Sequence, residues 1–117
     1  MDRIKRFVLL LAGLAVAASG CARPPLDVVV SAEAACALAT ARVTAARGLP
    51  LGHVASCDPV RAEDSPVGHH VLGLRAVCNQ DLCGSTLMGW FAVEKATGAV
   101  FEWDVAEWRP GPEVGGR

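Results

Sequence analysis

Residues 78–84 read CNQDLCG, placing four residues between Cys78 and Cys83, ahead of Gly84. Two thiols at this spacing can be half of a metal site, a redox pair, or a disulfide across a turn. A metal site would need two further cysteine or histidine ligands at compatible spacing; Cys36 and Cys57 are present, but thiols oxidise where such a protein would be exported. A redox pair is usually C-x-x-C at a helix start, whereas this spacing is longer and its setting reads as a hairpin. The histidines add little to a metal case. His69 and His70 are neighbours on an expected strand and so point to opposite faces, and His53 lies in another element. They also lack a paired nucleophile that the sequence displays. Glu102 and Asp104 share a strand face, where carboxylates two residues apart are usually solvated. The sequence contains no glycine-rich phosphate loop, no H-E-x-x-H and no G-x-S-x-G. No enzyme, metal or cofactor is expected.

Which reading of the cysteines holds depends on where the chain resides. It opens MDRIKRFVLLLAGLAVAASGCARPP. Arg3, Lys5 and Arg6 form a positive start, Phe7 to Ala18 is uncharged and apolar, and Ser19 and Gly20 are small. This is the layout of a secretory signal, and the apolar run is shorter than the ~20 residues that span a bilayer. Ala18-Ser19-Gly20-Cys21 resembles the bacterial lipobox, with alanine where leucine is commoner. The resemblance implies a diacylglyceryl group on the Cys21 sulfur and an acylated new amino terminus. Two or more chains anchor stably, because each buried methylene contributes ~0.8 kcal/mol. By the sorting pattern of the lipoproteins it resembles, Ala22 rather than aspartate implies the outer membrane, and the protein is expected to face the periplasm.

The cysteine count agrees with this address. Of five cysteines, lipid takes Cys21 and leaves the even set Cys36, Cys57, Cys78 and Cys83 for disulfides, which an oxidising periplasm permits. Removing residues 1–20 leaves 97 residues with 8 basic and 11 acidic side chains. That weakly acidic balance gives no footprint for nucleic acid. Residues 21–27 read as a short stiff tether, 28–108 as a single domain and 109–117, with Arg109-Pro110-Gly111-Pro112, as a flexible tail. So small a domain buries a modest core and benefits from covalent help.

The elements that position these residues follow from period and punctuation. Ser31 can cap a helix from Ala32 to Arg47, with Glu33 in its first turn, Arg47 in its last and Gly48 just past its end. Cys36, Ala39, Val43 and Ala46, flanked by Ala35 and Leu38, form its packing side. The period then becomes two. Strands are expected over 53–57, 69–78, 84–94 and 99–105, with a turn at Lys95–Gly98. If Lys95 faces Ala99, Val93 faces Phe101 and Phe91 faces Trp103. If Cys78 faces Cys83, Leu74 faces Leu87, Leu72 faces Gly89 and His70 faces Phe91. Both registers produce one apolar face. Among three possible connectivities this favours Cys78–Cys83, which leaves Cys36 for Cys57. The expected fold is α+β: one N-terminal helix packed on a curled antiparallel sheet of about four strands.

One helix covers one side of a sheet. On these registers the other side carries Val71, Arg75, Met88, Trp90, Val100, Glu102 and Asp104, an aromatic centre with a charged rim that reads as a partner-binding surface. The same face also reads as an ordinary half-polar exterior covered by the tail or by the first strand. The order of elements and the hairpin WFAVEKATGAVFEWDV resemble small exported domains of the PepSY and cystatin-like kind, closely over residues 85–105 and elsewhere by element order alone. The resemblance implies binding or inhibition of proteins, often hydrolases, rather than catalysis. The expected function is therefore a lipid-anchored envelope protein that binds another envelope protein as inhibitor, immunity factor or assembly accessory. The alternatives are a structural component of a larger envelope complex and a small-ligand binder.

Overall fold

The computed structural model describes residues 26–115. The expected signal peptide, the expected lipidation of Cys21 and most of the expected tether lie outside the described residues. From Ser31 the chain forms helix α1 (Ala32–Arg47), whose ends follow their capping chemistry. The Ser31 hydroxyl accepts the Ala34 N–H at 3.1 Å, and Gly48 takes the left-handed conformation at φ 68°. There the Gly48 and Leu49 N–H groups bond the Ala45 and Thr44 carbonyls, a helix end that glycine allows at least cost.

Five antiparallel strands follow, β1 (Val54–Pro59), β2 (His69–Ala76), β3 (Leu87–Glu94), β4 (Val100–Asp104) and β5 (Arg109–Glu113), in the spatial order β1-β2-β3-β4-β5. Among the described residues the fold is α+β, with one α-helix and an open five-stranded sheet. Ala35, Ala39 and Val43, spaced four apart, bury one stripe of α1 against Leu72, Leu74, Phe91, Val93 and Val100 of the sheet. Alanine lets the helix approach closely, and each fully buried large side chain contributes roughly 1.5–3 kcal/mol. Thr44 is buried on α1 where Ala46 was expected. Its hydroxyl escapes an unpaired burial by donating to the Thr40 carbonyl at 2.7 Å.

The cysteines form two disulfides, Cys36–Cys57 and Cys78–Cys83. The first ties α1 to β1. The second closes the loop between β2 and β3, although the register that favoured it is not the one found. The ladder ends with the Ala76 N–H bonded to the Thr86 carbonyl, so both cysteines lie beyond it, with Cα atoms 6.1 Å apart. Leu74 faces Gly89, Leu72 faces Phe91 and His70 faces Val93, two places from expectation. Met88 is the extra residue of a bulge, and Gly89 beside it adopts φ 149°, which glycine supplies without a Cβ penalty. A shift of two keeps every side chain on its face.

The β3–β4 hairpin differs by one residue, and that changes faces. Ala92 pairs with Phe101 and Val93 with Val100. The loop holds four residues, Lys95–Gly98, because the Glu94 N–H bonds the Ala99 carbonyl while the Gly98 N–H bonds the Glu94 carbonyl. Within it, the Thr97 hydroxyl bonds the Glu94 carboxylate and accepts the Ala99 N–H. Val100 therefore joins the helix-side core, and Trp103 turns to the other face.

Residues 109–113, expected as tail, form β5, pairing Arg109 with Asp104, Pro110 with Trp103 and Glu113 with Phe101. Val114 then bonds the Val100 carbonyl at 2.7 Å and is 8% exposed within the core. The folded domain accordingly extends past 108. Pro110 and Pro112 disguise the strand in sequence, yet an edge strand tolerates proline because its outer N–H groups have no ladder partner to lose.

Candidate functional site

The sheet face opposite α1 has a small core of its own. Val71, Ala92 and Trp103 are buried together, with Val60 and Trp90 packed against them. Alternation along β2 and β3 brings Val71 and Trp90 here while Leu72 and Phe91 point to the helix. The Trp90 ring lies over Gly73, directly across the ladder; a Cβ on Gly73 would meet the ring at 3.2 Å. The missing side chain is what gives the indole its bed.

Trp108 closes the cluster from the turn between β4 and β5. It holds φ 55°, a left-handed conformation that non-glycine residues rarely adopt, and sets its ring edge-on to Trp103 at 5.2 Å between centroids. Such pairs contribute ~0.5–1.5 kcal/mol beyond area burial, comparable to the backbone cost. The ring remains 44% exposed, and Val105 in the same turn is 53% exposed. The Trp103 indole N–H is buried without an oxygen or nitrogen partner among the described residues. Phe101 lies on this face as well, its ring edge-on to His69 at 6.4 Å.

Of the residues expected on this surface, Val71, Arg75 and Trp90 are brought together. Arg75 pairs with Asp58 on the neighbouring strand at 2.9 Å, with both side chains about half exposed, so the contact positions the rim and adds at most ~1 kcal/mol. Met88, Val100, Glu102 and Asp104 are not on it. Met88 packs on the helix-side core and its carbonyl accepts the Arg47 guanidinium at 3.3 Å. Val100 is wholly buried in that core. Glu102 stands opposite Phe91, on the helix side. The Asp104 carboxylate accepts the Glu107 N–H at 3.0 Å and so braces the β4–β5 turn. The bulge accounts for Met88, and the four-residue loop accounts for the β4 residues.

The expected surface omitted Trp103, Phe101 and Trp108. The alternation of Phe101, Trp103 and Val105 against Val100, Glu102 and Asp104 signalled one apolar side of β4, but the direction of that side depends on the hairpin register. Chemically, the face offers aromatic and aliphatic contact with a charged edge at Arg75 and Asp58. Among the described residues, no group of three histidine, cysteine, aspartate or glutamate side chains is placed to hold a metal, and no helix is long and apolar enough to cross a membrane. Comparison with known proteins finds no matching family model, no matching curated protein and no matching solved structure.

Proposed function

We propose that this chain is a lipid-anchored protein of the bacterial outer membrane, held through Cys21 and facing the periplasm, that binds another envelope protein through the sheet face around Trp90. It acts there as an inhibitor, immunity factor or assembly accessory rather than as an enzyme. The observation that carries the reading is the tryptophan cluster. Trp90 and Trp108 are left partly exposed on a face that no helix among the described residues covers, and amphipathic aromatics with an arginine at the rim make the commonest binding anchors. Two disulfides in a small domain accord with an oxidising compartment. The lipobox resemblance supplies the anchor.

In-cell crosslinking of the full lipoprotein, followed by capture and mass spectrometry, tests this directly. One envelope protein is expected with the native chain and is lost with Trp90→Ala or Trp108→Ala, while Met88→Ala leaves it in place. Equal capture by all three variants would remove the site. Labelled fatty acid entering the native chain but not Cys21→Ser tests the anchor.

A further inference from the structure

The first described residues meet the sheet at one end of its strands. The Val28 and Val29 N–H groups bond the Lys95 carbonyl at 2.8 and 3.0 Å, and the Lys95 N–H bonds the Gly68 carbonyl at 2.8 Å. Val29 is buried there, but Leu26, Val28, Val30 and Val67 are exposed, Val67 by 98%. Val30 and Val67 wall one recess of about 530 Å³. Four aliphatic side chains therefore stand in solvent where the amino-terminal segment, the β1–β2 connection and the β3–β4 turn come together. Patches of this kind mark contact with protein or membrane.

The strands alternate in direction, so the β2–β3 connection and the β4–β5 turn lie at the opposite end. Leu82, Val105 and Trp108 are exposed at that end. Apolar exposure alone does not choose between the two ends; the point where the chain enters does. Residues 21–25 separate Cys21 from Leu26. A chain spans at most ~3.6 Å per residue, which keeps Leu26 within roughly 18 Å of an acylated Cys21. The eight residues of β2, at ~3.3 Å each, set the two ends roughly 26 Å apart.

We propose that the end carrying Leu26, Val28, Val30 and Val67 rests on the lipid surface, with these side chains among the headgroups and upper acyl chains. The inference rests on the reading of Cys21 as the anchor. Acyl chains there hold the domain at the surface, so the patch meets lipid at high local concentration and needs little affinity of its own. Contact removes the aliphatic side chains from water. Nearby charge supplies no net attraction to anionic lipid: Lys95 and Arg61 stand with Asp27, Glu63 and Asp64, and Arg61 is paired with the last two. The contact is thus apolar. It turns Trp108 away from the membrane, where a partner reaches it.

The test uses the mature lipoprotein in vesicles of phosphatidylethanolamine with a minor share of phosphatidylglycerol, doped with a lipid that carries a photoreactive diazirine. After illumination, lipid adducts are located by peptide mass spectrometry. Adducts are expected on residues 26–30 and 62–68 and not on 77–86 or 105–108. Leu26→Asp combined with Val67→Asp should lower them about tenfold, with the melting temperature and the fatty-acid labelling of Cys21 unchanged. Leu82→Asp should leave them as they were. Adducts spread over both ends, or indifferent to the paired substitution, would overturn the proposal. So would their absence, for then another protein or a second copy covers the patch. Failure of the anchor reads differently, as a Cys21 that takes up no fatty acid. The mature chain with Cys21→Ser and an amino-terminal histidine tag, held on vesicles containing a nickel-chelating lipid, then decides the surface by itself. Adducts on 26–30 and 62–68 would support it, and adducts on neither would overturn it.

Discussion

Trp90 and Phe91 are consecutive residues that serve different ends. Phe91 points to α1, is 1% exposed and sits among aliphatic side chains from both layers. Trp90 points away, lies on Gly73 and shares a thin cluster with Trp103. One face is closed by a second layer and the other by its own side chains. A two-layer core removes far more apolar surface from water, so the helix side holds most of the stability. The self-covered side keeps tryptophan edges in solvent, which costs little stability and leaves them available for contact. This division lets a small domain fold while aromatic edges stay in solvent.

The comparison breaks if truncation of the two neighbours costs the same. Phe91→Ala leaves a cavity against α1 and should destabilise by ~3–5 kcal/mol. Trp90→Ala, with the ring only partly buried, should cost about 2 kcal/mol or less. Denaturant titration of both variants measures the difference. An equal loss would mean that the tryptophan face is a true second core and not a surface.

The disulfides sharpen the same contrast. Cys36–Cys57 closes a separation of 21 residues and joins the two layers, whereas Cys78–Cys83 closes 5 residues in a loop. On the loop-entropy account, replacing the first pair by alanine should cost on the order of 3 kcal/mol and the second about 2. Melting of the two double variants, each with the other bridge intact, gives the order. A larger loss from the loop bridge would show that the β2–β3 connection, not the contact of helix and sheet, limits stability.

What could be read in the sequence divides along a physical line. Features fixed by a few neighbouring residues were legible: the Ser31 and Gly48 caps and the core positions Ala39 and Val43. So was the alternation that puts Leu72 and Leu74 on one side and Val71 on the other. Features set by the register between strands were not. Met88 changes sides through a bulge whose sequence signal is one glycine, Gly89. Val100 and Trp103 exchange faces because the loop after Glu94 holds four residues rather than three, and Lys-Ala-Thr-Gly suits either length. β5 was hidden for another reason: Pro110 and Pro112 weigh against a strand anywhere except at a border, and the border is known only once the sheet is assembled. For that face this meant that Trp90 was placed on it from the sequence while Trp103 and Trp108 were not.

The smallest effect concerns Trp108, where backbone and side chain act in opposite directions. Its left-handed conformation, φ 55°, costs roughly 1–2 kcal/mol for a residue with a Cβ, and the edge-on contact with Trp103 returns about 1 kcal/mol. Trp108→Ala removes the contact and keeps the backbone cost, so it should destabilise by ~1 kcal/mol. Trp108→Gly removes both and should melt above the alanine variant, close to the native chain. That order, read by thermal denaturation, would show that the turn tolerates an unfavourable backbone for the sake of the indole, as a residue kept for surface contact requires. If alanine and glycine melt together, the backbone is relaxed at that position. The ring would then be there for packing alone, and Trp90 would remain as the single aromatic anchor of the face.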